Sequence, residues 1–386
     1  MNPSQIFWEA TKSFGEPISV QRLDIERYHN IYHPEIIDLL KRQISLGNTI
    51  VDSARKTLPK LPPIYFGVVD NMDFNARAIS IDGKYVICVY VGAILVLHQL
   101  FARMLADQRV LPQIGNVSNE AREIAVLGSI SPESLLQPAH PGLVSSPLDF
   151  ERRVFQRHLV DLAMHFLVCH EIAHIANGHL DFDRLNKSDP SYAIESQTIE
   201  MDADSSAVAC GVLLIRHRLE NNPNPPWDKL YASVNQCAFS WAFAISSFFR
   251  LDGDLSLSKF DRSASKYSPA RVRQANAFGV ARTYVNDLWD KSIQDDFLIS
   301  MSDAMVQVEI AFSIVGGEPL AMNGIQEAHS LDAWKYNGTL LAWKNELRDK
   351  LLPFAFGNLA QPQDLSVDLD EMYRNMMLNR NAHKNS

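Results

Sequence analysis

The chain has 386 residues, of which 46% are hydrophobic and 21% charged; these ordinary globular values exclude long disorder, collagen-like repeats and coiled coil. Its 36 Lys+Arg against 45 Asp+Glu leave a formal charge of −9 with no basic stripe, so nucleic acid is not an expected partner. The length suffices for one large domain or two ordinary ones.

The opening residues, MNPSQIFWEATKSFGEP, carry neither a basic start followed by an apolar core nor a small-residue cleavage site, so export is not expected. Residues 1–60 read as an N-terminal helical segment. Tyr28, Ile31, Ile36, Ile37, Leu40 and Ile44 follow a helical spacing, and Pro59, Pro62 and Pro63 stop it. From Ile64 the pattern changes to β-rich runs, IYFGVVD, ARAISI and KYVICVYV, with Asp82-Gly83 as a strong hairpin signal. AILVLHQLFARMLAD returns to helical character. The Pro/Gly/Ser-rich stretch from Leu111 to Leu148 predicts a long loop, the kind that borders or covers a site.

A long helix is expected from about Leu148 to Asn177, ended by Gly178, and another from about Ser196 to Arg218. The rest, from Trp227 to Met377, is expected to be mainly helical, with breaks at LDGD, GGEP and FGNLAQPQ and a frayed end. The fold class is therefore α+β, mainly α-helical, divided into 1–60, a core at 61–218 with its loop at 111–148, and a helical region at 219–386.

The unbroken apolar run from Tyr85 to Leu97 is well short of the ~20 residues a spanning helix needs. That from Cys237 to Leu251 is interrupted by Ser240, Ser246, Ser247 and Arg250, so no membrane span is expected. Cys88, Cys169, Cys210 and Cys237 are widely spaced in apolar stretches without a C-x-x-C pair, as expected of reduced, buried thiols in a cytoplasmic protein.

The chemistry concentrates in the long helix, which contains His170-Glu171-Ile172-Ala173-His174. Histidines four apart stack on one helical face, where both imidazoles reach a single metal ion. Glu171 is rotated ~100° from His170, so it lies beside the ion as general base for a bound water without ligating. A catalytic zinc needs a third protein ligand and one open position. The H-E-x-x-H-x-x-G-x-x-H option fails, since Asn177 and Leu180 occupy its last two fixed places. Glu200-Met201-Asp202-Ala203-Asp204 supplies a carboxylate instead: Glu200 as ligand, with Asp204 on the same face orienting a ligand histidine, while Asp202 points elsewhere. Glu195 and Asp202 stand in reserve. His179 could donate to the site but reads first as a solvent-exposed helix-end histidine, His158 and His165 read as packing or surface residues, and Cys169 as a buried thiol turned away from the ligands.

HEIAHIANGH and EMDAD resemble the metal helix and E-x-x-x-D helix of the gluzincin metallopeptidases of the HtpX-type and CAAX-prenyl endopeptidase group. Upstream, Asn75-Ala76-Arg77-Ala78 followed by KYVICVYVGAILVLHQL is similar to that group's N-A-x-A, strand and helix. The short gap to Glu200 and the layout without membrane helices look more like soluble relatives such as the Lit phage-exclusion peptidases. The resemblance implies a zincin-like core with a small sheet or hairpin packed against the metal helix. It further implies one Zn2+ per chain on His170, His174 and Glu200, Glu171 as general base, and Asp204 behind a ligand.

The strand Tyr85 to Val91 would then be the edge that pairs with an extended protein or peptide substrate, although periodicity alone equally allows a buried strand. Asn75 near the strand end, and Tyr267, Arg271 or Arg273 beside Pro269, where the group has H-P, are candidates for substrate or oxyanion contact. A plain turn residue and surface arginines are the simpler alternatives. The expected function is a zinc-dependent endopeptidase. Two rival readings use the same residues: a non-catalytic, zinc-braced interaction module and a zinc amidohydrolase acting on a non-peptide amide. The lengths of the 111–148 insert and of the C-terminal region raise a further expectation, a form kept latent until an activating or inhibitory protein partner acts.

Overall fold

The structure, a computed structural model, describes residues 3–17, 34–136, 146–186, 192–221, 227–252, 260–261, 265–320 and 330–361. The C-terminal end that was expected to fray and residues 137–145 of the insert lie outside the described residues. The fold is mainly helical with one small sheet, as the sequence patterns predict.

Strands β1 (Glu16–Pro17), β2 (Ile64–Asp70), β3 (Ala76–Ile81) and β4 (Lys84–Tyr90) form a sheet of order β1-β2-β4-β3. Asp82 and Gly83, at φ 49° and 71°, close the β3–β4 hairpin, whose last pair is Ile81 with Lys84. Positive φ at both turn residues matches the twist of the strands, and Asp-Gly tolerates it. β2 runs parallel to β4, with Ile64 opposite Tyr85 and Val69 opposite Tyr90.

This topology corrects the expectation that Tyr85–Val91 is an edge. β4 is interior, and β3 is the end strand among the described residues. The physical reason is written in β4 itself. From Tyr85 to Tyr90 every residue is buried, as in a strand covered on both faces, whereas β3 alternates through an exposed Arg77.

Helix α1 (Pro3–Thr11) covers one face, setting Ile6, Phe7 and Ala10 against Val69, Val86, Cys88 and Tyr90. The other face, with Phe66, Ile87 and Val89, joins a continuous core shared with α2 (Pro34–Thr57), α3 (Val91–Leu105) and α5 (Phe150–Ala176). Between α3 and α5 lies the short α4 (Pro132–Leu136).

Asp149 caps α5 by accepting from the backbone N–H groups of Glu151 and Arg152, and Gly178 ends it at φ 79°. The Arg152 guanidinium, fully buried, donates to the carbonyls of Leu105, Asp107, Val110, Leu111 and Ile114. It thereby folds the start of the 111–148 insert onto the N-terminal end of α5. His170 lies eighteen residues further along, roughly 27 Å away at helical rise. The insert residues that Arg152 holds, as far as Ile114, therefore pack far from the histidines.

Beyond α5 come α6 (His179–Asn186), α7 (Tyr192–Asn221), α8 (Val234–Leu251), α9 (Ala270–Leu288), α10 (Lys291–Gly316) and α11 (Leu331–Leu351). By length and composition α5 and α10 would each suffice to cross a membrane; 89% of the apolar window of α5 and 39% of that of α10 are buried inside the protein.

Of the four cysteines, Cys88, Cys169 and Cys237 are buried and all four are free, but Cys210 is exposed. Cys210 lies on α7 with its thiol beside that of Cys169 on α5, at an exposed position its apolar sequence neighbours do not disclose.

His158, buried within α5, has its pKa pushed down to about 3, first by burial and then by Arg218. The unfolded chain binds a proton there near pH 6.5, the native state only near 3, so stability rises with pH across that window. Thermal melts are expected to lose midpoint as pH falls from about 6.5 toward 3, and His158→Gln is expected to flatten that slope. An identical slope in the variant refutes the assignment.

Candidate metal centre

The last two turns of α5 carry His170, Glu171 and His174, and the third and fourth turns of α7 bring Glu200 and Asp204 opposite them. His170 Nε2 lies 3.1 Å from His174 Nε2 and 3.3 Å from Glu200 Oε2, and His174 Nε2 lies 3.8 Å from the same oxygen. Zinc bonds of about 2.0–2.2 Å at tetrahedral angles space two donors roughly 3.3–3.5 Å apart. The three buried donor atoms therefore have the separations one such ion requires, and their two-nitrogen, one-carboxylate chemistry suits zinc.

Behind His170 stands a carboxylate. Asp204 Oδ1 accepts from His170 Nδ1 at 2.9 Å, which leaves Nε2 facing the other donors. Arg273, from α9, grips Asp204 in a fork, Nε to Oδ2 at 2.8 Å and Nη2 to Oδ1 at 3.0 Å. Burial opposes the charged forms of all these groups, but pairing prevails. The bonds to Asp204 and Glu200 raise the His170 pKa to about 10. Arg273 holds the Asp204 carboxyl below its ordinary range, and His174 and His170 hold Glu200 well below its own.

His174 has a different neighbour. Its Nδ1 lies 3.1 Å from Nδ1 of His179, whose Nε2 lies 3.2 Å from Asp202 Oδ2. Asp202 also accepts from Asn177 Nδ2 at 2.7 Å and pairs through Oδ1 with Lys344 of α11 at 2.6 Å. His179 is 1% exposed, not a solvent-facing helix end. Gly178 turns the chain directly into α6, and Phe354 and Ala355 pack against that turn, so the end of α5 is covered. Burial pushes the His179 pKa down, which keeps the ring neutral; Lys344 and then His179 hold Asp202 ionised against its own burial.

A cleft of about 650 Å³ runs past the three donors, and Asn75, Arg77, Glu171 and Tyr267 share its walls. Glu171 thus faces the same space as the three donors without being one of them. The Asn75 side-chain oxygen accepts from Ala76 N at 2.9 Å, so the residue shapes its turn and lines the cleft at once. Residues Ala76 to Ile79 of β3 lie along this space. Tyr267, 47% exposed, has its phenol pKa raised to about 12, first by burial and then by Glu200, so the hydroxyl stays a donor.

Arg271 does not reach the site. It is buried, and its Nη1 donates to Glu309 Oε1 of α10 at 2.6 Å. Residues two apart on a helix point about 200° apart, so once Arg273 faces Asp204, Arg271 must face the opposite side. Glu195 lies near Lys350, 3.3 Å away, and is not among the converging donors. Cys169 turns toward His165, 3.8 Å distant.

Sequence reasoning placed His170, Glu171, His174, Glu200 and Asp204 together, and the structure brings them together. It set His179 aside as a solvent-exposed helix-end residue in preference to a donor at the site, and the burial of the ring corrects that preference. Lys344 left no readable signal. Comparison with family models, with curated proteins and with solved structures returned no match.

Proposed function

We propose that this chain is a soluble, cytoplasmic zinc-dependent endopeptidase with a zincin-like core. The observation that carries the reading is the convergence of His170 Nε2, His174 Nε2 and Glu200 Oε2 at separations suited to one ion, with Glu171 beside them in an open cleft. A zinc ion there supplies Lewis acidity, lowering the pKa of a bound water and polarising a carbonyl.

The chain's own residues do the rest. Glu171 takes the proton of the attacking water and returns it to the leaving amine. The Tyr267 hydroxyl donates toward the oxyanion that develops on the scissile carbonyl. β3, the end strand alongside the cleft, offers backbone hydrogen bonds to a substrate held in extended form. Such recognition reads main chain more than side chain, which suits an unfolded or locally extended protein segment.

The cleft is not plugged by the described part of the insert, and the C-terminal region contributes Asp252, Lys266, Tyr267 and Arg273 to its wall. Metal analysis of purified wild type, His174→Ala and Glu200→Ala tests the reading. The wild type is expected to carry about one zinc per chain and the two variants far less, with matching loss of cleavage of an unfolded protein substrate. Equal metal in all three proteins overturns the ligand set.

A further inference from the structure

We propose that His179, backed by Asp202 and Lys344, is a positioning residue that fixes the ring state of the ligand His174, so that the C-terminal helix completes the metal centre. This rests on the metal-binding part of the reading above, not on the peptidase step.

A ligating histidine usually donates its second ring N–H to a carboxylate, carbonyl or water, which orients the ring and fixes the tautomer. His170 follows that pattern through Asp204. The second ring nitrogen of His174 instead meets a nitrogen, Nδ1 of His179 at 3.1 Å. Two ring nitrogens at that distance bond only if one bears the proton and the other a lone pair.

The far end of the chain decides which. Asp202, paired with Lys344 at 2.6 Å, is a carboxylate and only accepts, so the proton facing it must sit on His179 Nε2. In a neutral imidazole Nδ1 of His179 then carries the lone pair, and His174 Nδ1 carries the proton. His174 Nε2 is left bare, directed at His170 and Glu200, as a ligand requires. Asn177 Nδ2 donates to the same Asp202 oxygen at 2.7 Å and holds the carboxylate in register.

The relay ends on α11, far away in sequence, and the segment after it is tied down as well. Phe356 N donates to the Ala176 carbonyl at 2.8 Å, just past the ligand turn. Ordering of residues 344–356 and the set of His174 are thus one arrangement.

The test titrates zinc alone, by chelator competition, into wild type, His179→Phe, His179→Gln and Lys344→Met, with the melting temperature of each metal-free protein as a folding control. His179→Phe is expected to bind zinc about 10- to 100-fold more weakly. His179→Gln, whose amide oxygen accepts from His174 and whose NH2 donates to Asp202, is expected to stay within about threefold of wild type. Lys344→Met is expected to fall between them. Nitrogen-15 NMR of the zinc-loaded wild type is expected to show His179 protonated at Nε2 and bare at Nδ1, and it decides the matter if His179→Phe does not fold.

Wild-type affinity in His179→Phe, or a His179 protonated at Nδ1, overturns this inference alone. Failure of the wild type to bind zinc removes the parent reading together with it. Zinc binding with the expected variant order but no proteolysis sinks only the peptidase step.

Discussion

Glu171→Gln is expected to lower the rate of peptide hydrolysis by a factor on the order of 10² or more while the zinc content stays at the wild-type level. Glutamine keeps the size and the hydrogen-bonding atoms of the side chain but cannot take a proton from water at neutral pH. Glu171 is 7% exposed, lines the cleft, and is not one of the three converging donors. Its replacement should therefore spare both fold and metal site.

The variant also separates the readings that share these residues. A zinc-braced interaction module predicts that Glu171→Gln is silent in every assay and that a chelator lowers only the melting temperature. An amidohydrolase predicts the same loss as a peptidase, but on small amides and not on extended chains. The assay is steady-state turnover alongside metal analysis and far-ultraviolet circular dichroism of the same preparations. Undiminished turnover by a folded, zinc-loaded Glu171→Gln protein refutes the mechanism.

The second large effect is expected from Arg273→Met. Arg273 and Asp204 form a forked pair whose side chains are 9% and 2% exposed. Removing one member of a buried pair leaves the other charge without its partner, a loss of about 3–5 kcal/mol. Asp204 would keep its hydrogen bond from His170 but lose the fork, so the carboxylate that orients this ligand would be less well held. Chemical denaturation is expected to show the loss of stability, and zinc competition a weakened site in whatever fraction remains folded. Arg273→Lys is expected to recover the charge but not the fork, and so only part of the stability. A midpoint within experimental error of the wild type would show that the pair contributes little net stability.

The centre was legible in the sequence where chemistry follows helical period. His170 and His174 share a face because they are four apart, and so do Glu200 and Asp204; no tertiary information is needed for either statement. Gly178 as the end of α5 and Asp82-Gly83 as the hairpin turn were readable for a similar reason, since backbone φ is a local property.

Errors arose where burial or pairing is set by distant segments. Tyr85–Val91 reads as apolar, but only the parallel partner β2 makes β4 interior and leaves β3 at the end of the sheet. His179 reads as a helix-end residue, yet Phe354, Ala355 and Lys344 from the other end of the chain enclose its surroundings. Arg271 and Arg273 are equivalent on paper, and only the position of Asp204 assigns one to the metal centre and the other to Glu309.

The amino-acid sequence by itself determined which side chains stand on each of two helical faces, because the α-helical repeat is built from near-neighbour hydrogen bonds. Tertiary structure alone decided that those faces meet within ligand distance, which strand borders the cleft, and that a lysine of α11 pairs with the aspartate behind His179. Those outcomes depend on burying apolar surface between segments far apart in the chain, and no local spacing encodes which segments will meet.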